Sequence, residues 1–420
     1  MILPRLSIAV ALCLLLAGCE TLNWPSQLKT ADHLTLKETT FEQLPGWHLD
    51  AQAQGILALQ RSCVPIMKKA PEDSFGVGGF AGTAAAWQDV CRDLSSAVPM
   101  TDAQARTFLE DHFIPYQMLG NSGSEGLFTG YYEASLRGSY KKHGAYVVPI
   151  YGRPDDLVKV NLGDFNPALQ GEHIVGRVDE DKDLIPYYNR EEIEKGALDK
   201  QHKEIVWVDS AVDAFFLHIQ GSGRIKMEDG STLRVGYAVE NGQPYVAIGK
   251  ELVARGALDK DNVSMQTIRE WLEQNPQQAA EVMDLNASYI FFNKLAGEDG
   301  PLGAEGVALK PRRSLAVDRK IIPYGVPIWL DTEDPDGQED LQRLMVAQDT
   351  GGAIVGAVRG DFFWGDGDEA AHKAGLMKGK GHAWVLLPKT VKPEVSKAPP
   401  ENDFFAWCKN AVSKLHPHEE

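Results

Sequence analysis

Three aspartates in the last quarter of the 420-residue sequence lie in apolar surroundings. Asp318 follows Ala-Val, Asp349 follows Val-Ala-Gln and precedes Thr-Gly-Gly, and Asp361 lies in Arg-Gly-Asp-Phe-Phe-Trp. Burying a carboxylate among such neighbours is costly, so each must be held by hydrogen bonds or have a raised proton affinity. A carboxyl of raised pKa is suited to acid–base catalysis. The pattern therefore predicts a carboxyl site that is either structural or catalytic.

Two other kinds of site could use these acidic residues. Asp349-Thr-Gly resembles the triplet of aspartic proteases, but those enzymes need two such carboxylates sharing a proton. The sequence contains no second Asp-Thr-Gly or Asp-Ser-Gly. The acids of residues 331–337 and 361–369 could bind a metal, yet neither segment has the spacing of an EF-hand loop. We interpret these two acidic segments as surface turns and expect no metal and no other cofactor. His218 lies in an apolar run, and we expect it to be a core residue of a strand.

The N-terminus has the composition of a bacterial lipoprotein signal. An apolar run from Leu6 to Leu16 follows a single arginine and is too short for a permanent membrane span. It ends in Leu-Ala-Gly-Cys19, which resembles a lipobox. We expect residues 1–18 to be a signal peptide, Cys19 to be lipidated and residues 19–45 to form a tether, with an ordinary cleaved signal as the alternative. Glu20 favours the outer membrane, so the expected location is its periplasmic face.

Charge and cysteine content limit the partners and the compartment. A formal net charge of −17 disfavours binding to nucleic acid or anionic lipid, so an anionic ligand would need local contacts in a cleft. In an oxidising compartment we expect a disulfide between Cys63 and Cys91, which leaves Cys408 over. Buried free thiols are the alternative.

The hydrophobic pattern divides the chain into helical and strand-rich stretches. Predicted helices cover residues 47–63, 84–94, 102–113, 245–255 and 264–285. Predicted strands include residues 146–151, 204–208, 214–219, 233–237, 322–329, 344–347, 353–358 and 383–387. Asp229-Gly230 predicts a hairpin, and Asn275-Pro276 restarts a helix. The predicted fold class is mainly β with helices.

Two short motifs have the residue types of a sugar-binding cleft. Glycine lets a backbone approach a ligand closely, while glutamine, serine and tyrosine offer neutral hydrogen bonds and a stacking face. The motifs are Thr129-Gly-Tyr131-Tyr132 and Gln220-Gly221-Ser222. We predict that substrate contacts Tyr131, Tyr132, Gln220, Gly221 and Ser222. Half-buried strand residues are the alternative for each.

The order of six motifs is similar to that of the membrane-bound lytic transglycosylase A (MltA) family. The motifs are Phe128-Thr-Gly-Tyr-Tyr, Gln220-Gly-Ser-Gly, Ser264-Met-Gln, Ser314-Leu-Ala-Val-Asp-Arg, Asp349-Thr-Gly-Gly-Ala-Ile and Gly360-Asp-Phe-Phe. The resemblance implies a double-psi β-barrel domain formed by both chain ends, an inserted β-barrel-like domain and a groove between them. We expect the barrel domain, with the N-terminal helices, at residues 46–133 and 288–390, the insert at 134–287, and a linker and tail at 391–420.

The resemblance also implies an activity. Members cleave the β-1,4 bond between N-acetylmuramic acid and N-acetylglucosamine in peptidoglycan and leave 1,6-anhydromuramic ends. By motif, the catalytic acid falls on Asp361, its companion aspartate on Asp349 and a hydrogen-bonding threonine on Thr129. Asp318 is expected to hold loops by accepting backbone N–H bonds. The expected partners are glycan strands and, through the anchor, the membrane, with the protein a monomer; a non-catalytic peptidoglycan-binding lipoprotein is the alternative.

Overall fold

The computed structural model describes residues 32–393, apart from residues 77–78, 98, 170–171, 298–299 and 338–339. The predicted signal peptide, Cys19, the first part of the predicted tether and nearly all of the predicted tail, with Cys408, lie outside the described residues. Within the described ranges, no helix combines the length and the apolar character that a membrane crossing needs.

Long strands and shorter helices alternate along the described chain. The α-helices of seven or more residues are α1 Gln52–Ile66, α2 Ala84–Ala97, α3 Asp102–His112, α4 Ala211–Gln220, α5 Ile248–Ala254, α6 Met265–Gln274, α7 Pro276–Asp284 and α8 Gly367–Leu376. The strands are β1 Thr35–Glu38, β2 Phe113–Leu119, β3 Gly126–Ser139, β4 Val148–Tyr151, β5 Val158–Asn161, β6 His173–Val178, β7 Leu184–Pro186, β8 Glu204–Val208, β9 Ser222–Met227, β10 Thr232–Glu240, β11 Ile290–Leu295, β12 Ser314–Val317, β13 Pro327–Glu333, β14 Asp340–Asp349, β15 Arg359–Asp366 and β16 Lys378–Pro388. The predicted fold class, mainly β with helices, is confirmed.

The three N-terminal helices confirm the helical pattern. Thr101 caps α3, because its side chain accepts a hydrogen bond from the Gln104 amide. The predicted disulfide between Cys63 of α1 and Cys91 of α2 is present. Helix α1 also lies tightly against β14: a Cβ at Gly55 would come within 2.6 Å of a Leu344 side-chain carbon.

Six strands are linked by hydrogen bonds into a ring. β13 pairs antiparallel with β14 and β16, β12 runs parallel to β14 and antiparallel to β15, and β15 runs parallel to β3. An antiparallel ladder between β16 and β3 returns to the start over four residue pairs. Because this last ladder is short, the sheet is partly ringed rather than a regular barrel. The finer description as a double-psi barrel, and the domain bounds, stay predictions.

Strand β3 continues from the ring into a second group of strands. Its first half pairs with β15 from Leu127 to Glu133, and its second half pairs with β9 from Ala134 to Gly138. β9 and β10 form the predicted hairpin, and β11 adds to β10. The Thr129–Tyr132 motif therefore lies in the ring portion of β3, directly before the chain leaves the ring.

The predicted strand over residues 214–219 is wrong, since these residues lie in α4. The Ser210 side chain accepts from the Asp213 amide at the start of this helix, and Gly221 ends it with φ 74°. Different faces of α4 pack into two apolar clusters, so every residue of the run except His218 is apolar. A short run that is almost entirely apolar cannot be assigned by periodicity, because a buried helix and a buried strand share that composition.

Two other strand predictions need correction. Residues 353–358 form no strand, because this segment consists of turns and irregular backbone in which Gly356 adopts φ 128°. Of residues 322–329, the strand comprises only the part from Pro327 onward. Gly325, at φ 88°, turns the chain directly before it.

Candidate active site

Strand β15 brings Asp361 beside Thr129 of β3. The two residues are direct partners in the parallel ladder between these strands. Thr129 Oγ1 donates to Asp361 Oδ1 at 2.7 Å, and Arg359 Nη2 donates to Thr129 Oγ1 at 2.8 Å. Because side chains alternate along a strand, Arg359 and Asp361 leave β15 on the same side. The threonine hydroxyl therefore joins a cation to the carboxyl.

The surroundings of Asp361 favour its protonated form. Burial raises the pKa of the Asp361 carboxyl above its ordinary value, while the Arg359 guanidinium and the Thr129 hydroxyl act in the opposite direction. Phe362 and Phe363, which follow it, are almost completely buried, whereas Asp361 itself keeps partial exposure. A carboxyl that a ligand can reach, but that apolar groups keep from full hydration, can serve as a proton donor.

Asp349 ends β14 and accepts three hydrogen bonds. Its Oδ1 accepts from the amides of Ala304 and Thr350, each at 2.9 Å, and its Oδ2 accepts from the Tyr131 hydroxyl at 2.8 Å. Burial, with a smaller contribution from the Asp361 charge, raises the pKa of Asp349 to about 6, although the three donors favour the ionised form. Asp349 can therefore change its charge near neutral pH.

Tyr131 connects the Asp349 carboxyl with the apolar interior. Its ring packs against Phe363, with 5.1 Å between ring centroids. Burial, then the charge of Asp349, raises the pKa of the Tyr131 hydroxyl well above its ordinary value, and the Asp361 charge acts in the same direction. The hydroxyl thus stays protonated and remains a donor to Asp349.

The five residues predicted to contact substrate have different surroundings, although one hydrogen bond joins their two motifs. Tyr131 belongs to the carboxyl site, while the Tyr132 amide donates to Gln220 Oε1 at 3.0 Å. Gly221 ends α4 and has open space on its side-chain side. Ser222 is buried at the start of β9. Direct contact of these residues with substrate stays a prediction.

Asp318, the third aspartate, has a structural role. Its Oδ1 accepts from the Lys320 amide at 3.0 Å, and its Oδ2 accepts from the Gly356 amide at 2.9 Å. The first bond holds the turn after β12, and the second joins the end of β12 to the loop between Asp349 and Asp361. The prediction that Asp318 holds loops through backbone N–H groups is confirmed.

Three residues of the site have no role in the sequence-based predictions. Arg359 could have been found, since it stands two positions before Asp361 and a strand places such residues on one side. Burial, then the Asp361 charge, raises the pKa of Tyr245, which lies close to that carboxyl and comes from the segment before α5. The Ala304 amide leaves no signal in the sequence, because any residue except proline supplies an N–H.

The histidine His218 lies inside a helix rather than a strand. Its Nδ1 is 3.0 Å from Arg190 Nη1, and burial, with the Arg190 charge, lowers the pKa of the imidazole well below its ordinary value. It is a neutral core residue, as the sequence indicated. Among the described residues, no three His, Cys, Asp or Glu side chains are grouped as metal ligands would be.

The fold and the site define a mainly β protein with two carboxyls of raised pKa, Asp349 and Asp361. Comparison with known families matches residues 127–293 to the MltA specific insert domain and residues 313–387 to the 3D domain. The chain is 36% identical over 268 residues to membrane-bound lytic murein transglycosylase A of Escherichia coli K12, covering 62% of this chain and 65% of that protein. It is 31% identical over 278 residues to the Vibrio cholerae protein of the same name, covering 64% and 67%.

Solved structures are similar over more of the chain. A membrane-bound lytic murein transglycosylase from Agrobacterium tumefaciens has a TM-score of 0.75 at 34% identity, covering 84% of this chain and 98% of that one. E. coli MltA with bound chitohexaose has a TM-score of 0.61 at 27% identity, covering 86% and 97%. The chain belongs to the MltA family.

Proposed function

We propose that this protein is a lytic transglycosylase that cleaves the β-1,4 bond between N-acetylmuramic acid and N-acetylglucosamine in peptidoglycan and leaves 1,6-anhydromuramic ends. The observation that carries the proposal is the partly exposed Asp361 carboxyl, whose pKa burial raises and which Thr129 orients. The names of its relatives and the chitohexaose bound to E. coli MltA support a glycan substrate.

One carboxyl of raised pKa is enough for this reaction. Ordinary glycosidases use two carboxyls, one to protonate the leaving oxygen and one to attack or to activate water. Here the 6-hydroxyl of the muramyl residue is tethered beside its own anomeric carbon, so the substrate supplies the nucleophile at high effective concentration. The acid first protonates the glycosidic oxygen, then takes the proton of the 6-hydroxyl as the C1–O6 bond forms.

The surroundings suit Asp361 to both steps. Its raised pKa keeps a proton available, and Thr129 holds one carboxyl oxygen so that the other can face the glycosidic bond. Asp349, when ionised, favours positive charge that develops at the anomeric carbon. Arg359 opposes too large a rise of the Asp361 pKa, which helps the carboxyl to release its proton.

The proposed location of the protein in the cell is the outer membrane. The curated relatives are membrane-bound by name. We propose that lipidation of Cys19 anchors the chain at the periplasmic face of the outer membrane, where a monomer acts on glycan strands without nucleic acid or a cofactor. The lipobox-like Leu-Ala-Gly-Cys19 sequence supports this anchoring.

Product analysis tests the reaction. We expect the purified protein without residues 1–19 to release muropeptides from isolated sacculi. These products should have 1,6-anhydromuramic ends, because no water is added to the cleaved bond. Mass spectrometry distinguishes these ends from reducing ends by the mass of one water. A muramidase that hydrolyses the same bond is the matched control. Reducing ends alone would show a hydrolase, and absence of any release would contradict an enzymatic function.

Replacing Asp349 with Asn is expected to weaken turnover without abolishing it. We expect kcat to fall about tenfold to a hundredfold, because a preorganised charge is lost while the acid remains. Wild-type activity should fall as pH drops through about 6, where Asp349 gains its proton, and the variant should lack this acid limb. Asp340→Asn, at the exposed start of the same strand, is the control. A full acid limb in Asp349→Asn would contradict this role.

A further inference from the structure

A buried chain of hydrogen bonds runs from β12 to a turn beside Asp349. Ser314 Oγ donates to Gln348 Oε1 at 2.6 Å, and Gln348 Nε2 donates to Ser62 Oγ at 2.9 Å. Ser62 Oγ in turn donates to Glu305 Oε2 at 2.6 Å. The first three side chains are fully buried. Each side chain donates to the next in the order Ser314, Gln348, Ser62, Glu305, so the Glu305 carboxyl oxygen at the end must accept. Of these four side chains, Glu305 is the ionisable one.

The turn that carries Glu305 also supplies a donor to the carboxyl site. The Ala304 amide donates to Asp349 Oδ1 at 2.9 Å, and the Glu305 amide donates to the Gln348 carbonyl at 3.1 Å. Gly306 N donates to the Gly303 carbonyl at 2.8 Å and closes the turn. The Glu305 side chain, which binds Ser62 of α1, is therefore one residue away from the Ala304 amide, which binds Asp349.

We propose that Glu305 is a positioning residue: by anchoring the turn of residues 303–306 to Ser62 of α1, it keeps the Ala304 N–H directed at Asp349. Glu305 acts through Ala304 and does not contact the reacting atoms. The inference rests on the proposed function for its effect on activity, but the anchoring itself is a property of the fold.

Several charged groups surround this turn. Burial raises the pKa of Glu305 to about 7, while Ser62 and then Lys69 favour its ionised form. Near neutral pH the carboxyl is therefore divided between its two forms, and glutamine, with one acceptor oxygen, is a fair substitute for the neutral form. The charged or titratable side chains near the turn are Lys69, Tyr324 and Asp349, and Arg61 donates to the Ala308 carbonyl directly after it.

Loss of the anchor has a defined electrostatic consequence. The Ala304 amide lowers the pKa of Asp349, because it donates to the ionised carboxylate. If the turn moves and this donor is lost, the pKa of Asp349 rises further above its ordinary value. The acid limb of the activity profile, where Asp349 becomes protonated, then moves to higher pH.

The test compares Glu305→Ala with Glu305→Gln. We expect Glu305→Ala to lower kcat about tenfold with little change in KM, as one hydrogen bond to a charged group is lost. Its acid limb should move to higher pH, and the Ala304 amide should exchange with deuterium faster than in the wild type. Glu305→Gln keeps an acceptor for Ser62 and should behave nearly as the wild type. A loss of overall stability alone would leave the position of the limb unchanged and would speed exchange at many protected amides rather than at Ala304 in particular.

Ser62→Ala removes the other partner of the same hydrogen bond. This variant is tested instead of Glu305→Ala if Glu305→Ala does not fold. An unchanged acid limb and unchanged Ala304 exchange in a folded Glu305→Ala or Ser62→Ala variant would overturn the inference. A wild type without lytic activity would reject the proposed function, and the exchange rate of the Ala304 amide in the variants would still decide whether Glu305 anchors the turn.

Discussion

Asp361→Asn is expected to fold as the wild type does and to lose essentially all cleavage of peptidoglycan. Asparagine keeps the size of the side chain and an acceptor for the Thr129 hydroxyl, but it has no proton to give to the glycosidic oxygen. Loss of a general acid costs about 100- to 10,000-fold in rate, and here one group serves as acid and base, so we expect the upper part of that range. Release of anhydro-muropeptides from sacculi measures the loss.

Two controls separate loss of chemistry from loss of structure or of binding. Asp368→Asn changes an exposed carboxyl in the first turn of α8 and should leave the rate unchanged. The Asp361→Asn protein should still sediment with sacculi, because glycan binding does not need the proton. Wild-type cleavage by Asp361→Asn would reject the assignment of the acid. A wild type that binds sacculi without cleaving them would instead favour the non-catalytic binding protein.

Asp50→Ala is expected to destabilise the protein more than any surface substitution. Asp50 forms a two-pronged ion pair with Arg313, at 2.6 and 2.8 Å, and both side chains are buried. Its Oδ2 also accepts from the Leu344 amide at 3.0 Å. Removing the carboxylate leaves a buried guanidinium without its counter-charge, which costs about 3–5 kcal/mol. Urea unfolding monitored by tryptophan fluorescence measures the loss.

The matched control for this prediction is an exposed ion pair. Lys320 and Glu172 keep 63% and 50% of their side-chain surface exposed, so Glu172→Ala should cost less than about 1 kcal/mol. A double substitution, Asp50→Ala with Arg313→Met, should recover part of the loss, because no unpaired charge remains inside. A loss below about 1 kcal/mol in Asp50→Ala would show that the buried pair contributes little to stability.

Elements with a strong local signal were predictable from the sequence. The Thr101 cap, the Asp229-Gly230 hairpin and the helix restart at Asn275-Pro276 depend on residues that interact within a few positions, and the structure has all three. The run at 214–219 was not predictable in this way. Its helix has two apolar faces because two clusters of distant residues cover it, and neither cluster is visible locally.

The same distinction holds for the site. Motif order selected Asp361, Asp349 and Thr129 as the predicted site residues, and the ladder between β15 and β3 makes Asp361 and Thr129 partners. The other contacts of the site join residues that are far apart in the sequence, so local patterns did not predict them. Ala304 reaches Asp349 across 45 positions, and Ser62 reaches Glu305 across 243.

By itself, the sequence determined which acids stand among apolar neighbours, because side-chain chemistry is written residue by residue. The tertiary structure alone decided how each acid is used. Asp318 receives two loop amides, Asp349 receives three donors that partly offset its burial, and Asp361 receives one hydroxyl and a nearby guanidinium. A carboxyl's proton affinity depends on the water excluded and the donors brought to it, and both are set by parts of the chain that only folding brings together.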